Sequence, residues 1–116
     1  MAAFAATLER GPSELRELRQ SLRSWLELTS ATARTRDSVV LATHEAAANA
    51  MVHGRQGSAV NVSARQEESG DVVVEVSNLL AAAPSPRQET SGRGLEMMRE
   101  LMCEVEIQTS VRMRSR

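Results

Sequence analysis

The sequence predicts an α+β fold, a two-layer sandwich in which about three helices cover one face of a mixed, largely antiparallel sheet. Three observations predict it. Short segments at the start, middle and end of the chain alternate apolar with polar residues, as strands with one buried face do. Between them, longer stretches repeat apolar residues every three or four positions, as amphipathic helices do. The whole chain, 116 residues with 41% hydrophobic and 25% charged side chains, has the size and balance of one globular domain, residues 1–116.

Phe4, Ala6 and Leu8 alternate and predict a first strand. Gly11-Pro12 breaks it. Gly11 is placed to cap a helix and Pro12 to begin one, with Glu14 as an acid in the first turn. Leu15, Leu18, Leu22, Trp25 and Leu26 then give an apolar helical stripe ending near Leu28, with Arg16, Arg19, Arg23, Glu17 and Glu27 on the solvated face. A polar connection from Thr29 leads to a second helix beginning near Thr35, where a hydroxyl can cap and Asp37 complements the helix dipole. It runs through Val39, Val40, Leu41, Ala46 and Ala50 to a stop at Gly54.

Val60 and Val62, then Val72, Val74 and Val76, predict a hairpin whose polar turn contains Gly70. Residues 79 to 91, rich in Ala, Pro, Ser and Gln, read as a mobile loop. Gly92-Arg93-Gly94 closes it and opens a third helix with Leu95, Met98, Leu101 and Met102 on one side. Two more strands follow, and Arg112, Arg114 and Arg116 share a face of the last.

The net charge of -1 argues against a broad nucleic-acid surface. All 14 basic residues are Arg, and only Asp37 and Asp71 of the 15 acidic ones are Asp, so no mechanism can use a catalytic Lys. The single Cys103 excludes an internal disulfide and a cysteine-rich metal site. No apolar run reaches the roughly 20 residues that span a bilayer, and no basic region precedes an apolar run at the start. A soluble cytoplasmic protein without direct nucleic-acid or membrane contacts is expected.

Two patterns carry chemistry. Glu45, Asn49 and His53 recur at four-residue spacing on the second helix, one polar stripe on a helix of Ala, Val, Met and Leu. A carboxylate at Glu45 can take a proton from a hydroxyl nucleophile. An amide oxygen at Asn49 can ligate Mg²⁺, which keeps most of its coordination for water and phosphate. The same spacing also describes a helix face turned to water. The second pattern is Ser91-Gly92-Arg93-Gly94 at a helix start, where backbone N–H groups and the helix dipole suit an anion and Arg93 can clamp it. Turn glycines before a helix are also common without any ligand.

The run from Leu41 to Gly54, Leu-Ala-Thr-His-Glu-Ala-Ala-Ala-Asn-Ala-Met-Val-His-Gly, resembles the N-box of the anti-sigma-factor serine kinases, members of the GHKL (histidine kinase-like) ATPase superfamily. The run from Ser91 to Met102 resembles that family's second glycine box, and Phe4 to Trp25 is similar to its opening strand and helix. The resemblance implies the Bergerat fold, with ATP and Mg²⁺ as cofactors. It implies Glu45 as the base that activates an acceptor serine, Asn49 as the Mg²⁺ ligand and His53 near the phosphates. Gly92, Arg93 and Gly94 would close over the phosphate chain.

Implied partners are a sigma factor, sequestered by the domain, and a small anti-anti-sigma (STAS) protein, phosphorylated by it. A helix-mediated homodimer is common in the family. The Leu and Trp face of the first helix is compatible with one, and burial against the sheet explains the same residues.

The sequence departs from the family at the adenine box. Asp-x-Gly-x-Gly is replaced by Asn78-Leu79-Leu80-Ala81-Ala82, leaving Asn78 as a neutral substitute for the carboxylate, and Thr109-Ser110 replaces the late Gly-Thr. Two readings of function follow: an ATP-dependent protein serine kinase with a weakened site, or a partner-switching anti-sigma module without nucleotide. An isolated sensor histidine kinase domain fits less well, because no dimerisation helices accompany the motifs. A ligand-free interaction domain is the plainest alternative.

Overall fold

The computed structural model describes residues 3–9, 13–53, 59–78, 94–102, 104–107 and 110–115. Eight elements follow in the order the sequence predicts: β1 (Ala3–Leu8), α1 (Glu14–Leu26), α2 (Ala33–His53), β2 (Val60–Gln66), β3 (Val72–Asn78), α3 (Gly94–Leu101), β4 (Glu104–Ile107) and β5 (Ser110–Arg114). The strands form one sheet in the order β1-β2-β3-β5-β4. Every pairing is antiparallel, so among the described residues the sheet is not mixed. The mobile loop expected over residues 79 to 91 lies outside the described residues.

One face of the sheet is apolar because strand residues alternate in direction. Phe4 and Leu8, then Val60, Val62 and Ala64, then Val72, Val74 and Val76, and Met113 all point into one core. Leu18, Leu22, Trp25 and Leu26 of α1 and Val39, Val40, Ala42, Ala46 and Ala47 of α2 meet them there, with Met98 and Met102 from the α3 end. Leu22 and Leu26 are wholly buried, so truncating either to Ala costs about 2–5 kcal/mol. The Leu and Trp face of α1 therefore packs inward and is not a free dimerisation surface. Phe4 and Trp25 tie β1 to α1 as a tilted ring pair 6.0 Å apart.

Helix ends follow local chemistry, with two departures from the sequence reading. The helix of α1 starts at Glu14, behind Ser13, which makes no side-chain cap; Gly11 and Pro12 lie outside the described residues. Instead the Glu9 amide donates to the Glu14 carboxylate at 2.7 Å and fixes the corner between β1 and α1. In α2 the cap is Thr32 and not Thr35. The Thr32 hydroxyl accepts from the Thr35 amide at 3.1 Å, and its carbonyl accepts from the Arg36 amide at 2.8 Å, which starts the helix two residues early. Asp37 then falls beyond the first turn and pairs with Arg23 of α1 at 2.7 Å.

Gly70 takes the left-handed conformation, with φ +95°, in the β2–β3 turn, where a side chain would be strained. Gln66 donates from its amide to Ser30 Oγ at 2.7 Å and to the Gly70 carbonyl at 3.0 Å. It thereby holds the start of α2 to the turn end of the hairpin. The opposite end of α2 consequently lies at the other end of the sandwich.

Candidate functional site

The site is built around α2, which packs against α1, α3 and β3. At 3.6 residues per turn, Val39, Thr43, Ala46 and Ala50 fall on the arc facing the sheet. His44 falls on the flank toward α1, and Glu45 and Asn49 on the flank toward α3. His44 indeed reaches Arg19 of α1, Nδ1 to Nη1 at 2.9 Å. Glu45 and Asn49 are both half-buried. Their four-residue spacing puts them on one flank of α2, half-buried rather than open to solvent.

The position of α3 fixes what stands opposite them. Leu101, the last residue of α3, lines the same small depression as Arg34, Thr35 and Ser38 at the start of α2. Packed along α2 from there, α3 must run antiparallel to it. Seven residues separate Leu101 from Gly94, a rise of about 10 Å. The first turn of α3, at the other end of that helix, carries the free N–H groups and the positive end of its dipole. Gly94 is the first helical residue, where the second glycine pattern predicts it.

Asn78 ends β3 and is the register partner of Val60. Residues 54 to 59, which join α2 to Val60, can span only about 20 Å. The end of α2 and the end of β3 thus belong to the same end of the sandwich. His53 and Asn78, the last residues of α2 and β3, are thereby at one end. The side chains of His53 and Asn78, and all of Gly92 and Arg93, lie outside the described residues.

Asn49 carries the most informative local feature. Its Nδ2 is buried and has no hydrogen-bond partner among the described residues. A buried donor left unpaired costs about 1–3 kcal/mol, so such a group marks a place where an acceptor is missing. As it stands the amide can donate to a phosphate oxygen; a half-turn about its last torsion presents Oδ1 to a cation. Among the described residues no three His, Cys, Asp or Glu side chains cluster to hold a metal.

The sequence reading gave His44 no partner and left Arg19 on a solvated face. Their pairing joins two helices through residues 25 apart in the sequence, and no local pattern signals it. The His44 pKa is lowered, first by burial and then by the positive charge of Arg19, with Glu45 opposing.

Helix α2 carries Glu45 and Asn49 and packs beside α3 and on the antiparallel sheet. The histidine kinase-like ATPase domain family matches residues 8–115. The chain belongs to that family. Its fold is similar to a solved structure of the RsbU and RsbW domains of Rv1364c from Mycobacterium tuberculosis, with a TM-score of 0.76 and 23% sequence identity. The match covers 100% of this chain and 32% of that one, so this domain spans about a third of the longer protein. No curated protein matches the chain. Within this histidine kinase-like ATPase domain, Glu45 and Asn49 stand on α2.

Proposed function

We propose that this domain is an anti-sigma factor and ATP-dependent protein serine kinase, which sequesters an RNA polymerase sigma factor and phosphorylates a small anti-anti-sigma (STAS) protein. The observation that carries the reading is the buried Asn49 amide nitrogen, without a hydrogen-bond partner among the described residues and one turn from Glu45. When bound, Mg-ATP supplies the γ-phosphoryl group, and its metal neutralises charge on the phosphates. Glu45 would accept the proton of the acceptor serine hydroxyl. Asn49 would hold the metal through its amide oxygen, and the amides of the first turn of α3 from Gly94, with Gly92 and Arg93 before them, would hold the phosphate oxygens. The family membership and the similarity to a structure that contains an RsbW domain support this reading.

The test is incubation with Mg-ATP and candidate small anti-anti-sigma proteins, read as phosphoserine, beside a pull-down of sigma factors. Transfer by the wild type and none by Glu45→Ala is the expected result. The adenine box, Asn78-Leu79-Leu80-Ala81-Ala82, favours a second reading. There the domain binds its partners without nucleotide, and a sigma-factor pull-down unaffected by Mg-ATP identifies it. A homodimer and a cytoplasmic location complete the proposal. Among the described residues no helix is long and apolar enough to cross a membrane.

A further inference from the structure

We propose that Arg19 and His44 form a proton-sensitive latch between α1 and α2, closed while the imidazole is neutral and reversed to repulsion when it is protonated. A guanidinium has donors and no acceptor. The 2.9 Å contact between Arg19 Nη1 and His44 Nδ1 is a hydrogen bond only if Nδ1 offers a lone pair. The ring is therefore the neutral tautomer with its proton on Nε2. A proton added at Nδ1 removes the acceptor and sets two cations against each other across the interface.

The surroundings sharpen the effect. From α1, Arg19 faces the ring, with Arg16 and Arg23 about a turn away on the same flank. From α2, Glu45 is next in sequence, and Asp37, two turns earlier, is engaged by Arg23 at 2.7 Å. Among the described residues these two contacts, Arg19–His44 and Arg23–Asp37, are the polar side-chain links between the helices. Arg23–Asp37 is exposed and does not change with the imidazole. Acidification therefore releases α1 at the level of His44 while the apolar contacts of Leu18, Leu22 and Trp25 still hold it to the core. The burial and the Arg19 charge that lower the His44 pKa keep the latch closed at neutral pH. None of this depends on nucleotide or on kinase activity.

The experiment is an NMR titration of the imidazoles, of which the chain has two, His44 and His53, with hydrogen exchange in α1 measured from about pH 7.5 to about pH 5.5. In the wild type the ¹⁵N shifts of His44 report the Nε2–H tautomer, and α1 amides lose protection as His44 protonates. Arg19→Gln, which removes the charge, moves the His44 midpoint upward; Arg19→Glu moves it further. His44→Gln, whose amide oxygen accepts at every pH, abolishes the pH dependence of α1 exchange. The proposal is overturned by an Nδ1–H tautomer in the wild type, or by a His44 midpoint that is the same with Arg19 and with Gln. Should Arg19→Glu fail to fold, those two measurements still decide.

Discussion

Ser115 grips Val72 from two sides: its amide donates to the Val72 carbonyl at 2.8 Å, and its hydroxyl accepts from the Val72 amide at 2.7 Å. Both residues are buried. The side chain thus does the work of one more rung between β5 and β3, where the β5 strand itself has ended. Ser115→Ala leaves the Val72 N–H buried without an acceptor, at a cost of about 1–3 kcal/mol. Thermal unfolding is expected to show a melting point several degrees lower, whereas exposed Ser24→Ala should hardly move it.

A second prediction concerns acid. Glu67 takes hydrogen bonds from Arg114, and Arg65 approaches it at 3.5 Å, while Asp71 lies 3.5 Å from Arg114. The Glu67 pKa is lowered mainly by the Arg114 hydrogen bond, against an opposing effect of burial, with help from the charges of Arg114 and Arg65. A carboxylate with a depressed folded-state pKa stabilises the fold above its unfolded value, and that contribution is lost as pH falls through the folded one. Glu67→Gln should therefore melt below the wild type at neutral pH. The gap should close once pH falls below the ordinary Glu value of about 4.3. A gap that stays constant as pH falls well below that value contradicts the assignment.

Asn49 separates a site from a structural residue. If its amide is an unpaired donor in the free protein, Asn49→Ala removes a buried polar group that nothing satisfies. The free variant should then unfold within about 1 kcal/mol of the wild type, yet lose the rise in melting temperature that Mg-ATP confers. A strongly destabilised free variant would show instead that the amide has a structural partner.

The sheet edges differ in a way that bears on self-association. β4 is four residues long and carries Glu104 and Glu106. β1, at the other edge, is six residues with neither charge nor Pro, and its register with β2 runs unbroken. Long uncharged edges are the ones open to pairing. Two copies pairing antiparallel about an axis at Ala6 set Phe4 opposite Leu8 on the helix side and Ala5 opposite Thr7 on the bare side. Light scattering should show a dimer, and Ala5→Lys with Thr7→Lys should dissociate it. Pairing Ala5→Lys with Thr7→Glu should restore it by charge pairing. A dimer indifferent to both double variants uses another surface.

The order of elements was legible because it is written in periodicity: alternation in β1, β2 and β3, three-to-four spacing in α1 and α3. What depends on distant partners was not. Asp37 read as a helix-start acid because its neighbours permitted it, and it turned out to serve Arg23 of another helix. Thr32 and Thr35 are equally good capping residues in isolation. The chain geometry around Ser30 and Gln66 accompanies the choice of Thr32. Among the described residues the antiparallel pairing of the sheet depends on β5 entering between β3 and β4, which no local pattern encodes. At the site, the Glu45–Asn49 spacing was legible, but the packing of α3 against α2 was not. The Arg19–His44 contact left no trace in spacing.

The most direct test of the account is calorimetric titration of the free domain with Mg-ATP, paired with thermal unfolding of the wild type, Glu45→Ala and Asn49→Ala. The wild type and Glu45→Ala should bind, and nucleotide at 100 times its Kd should stabilise each by about 2.7 kcal/mol, whereas Asn49→Ala should bind much more weakly. No binding by the wild type at millimolar Mg-ATP, or equal binding by Asn49→Ala, would contradict the claim that the flank between α2 and α3 is a nucleotide site.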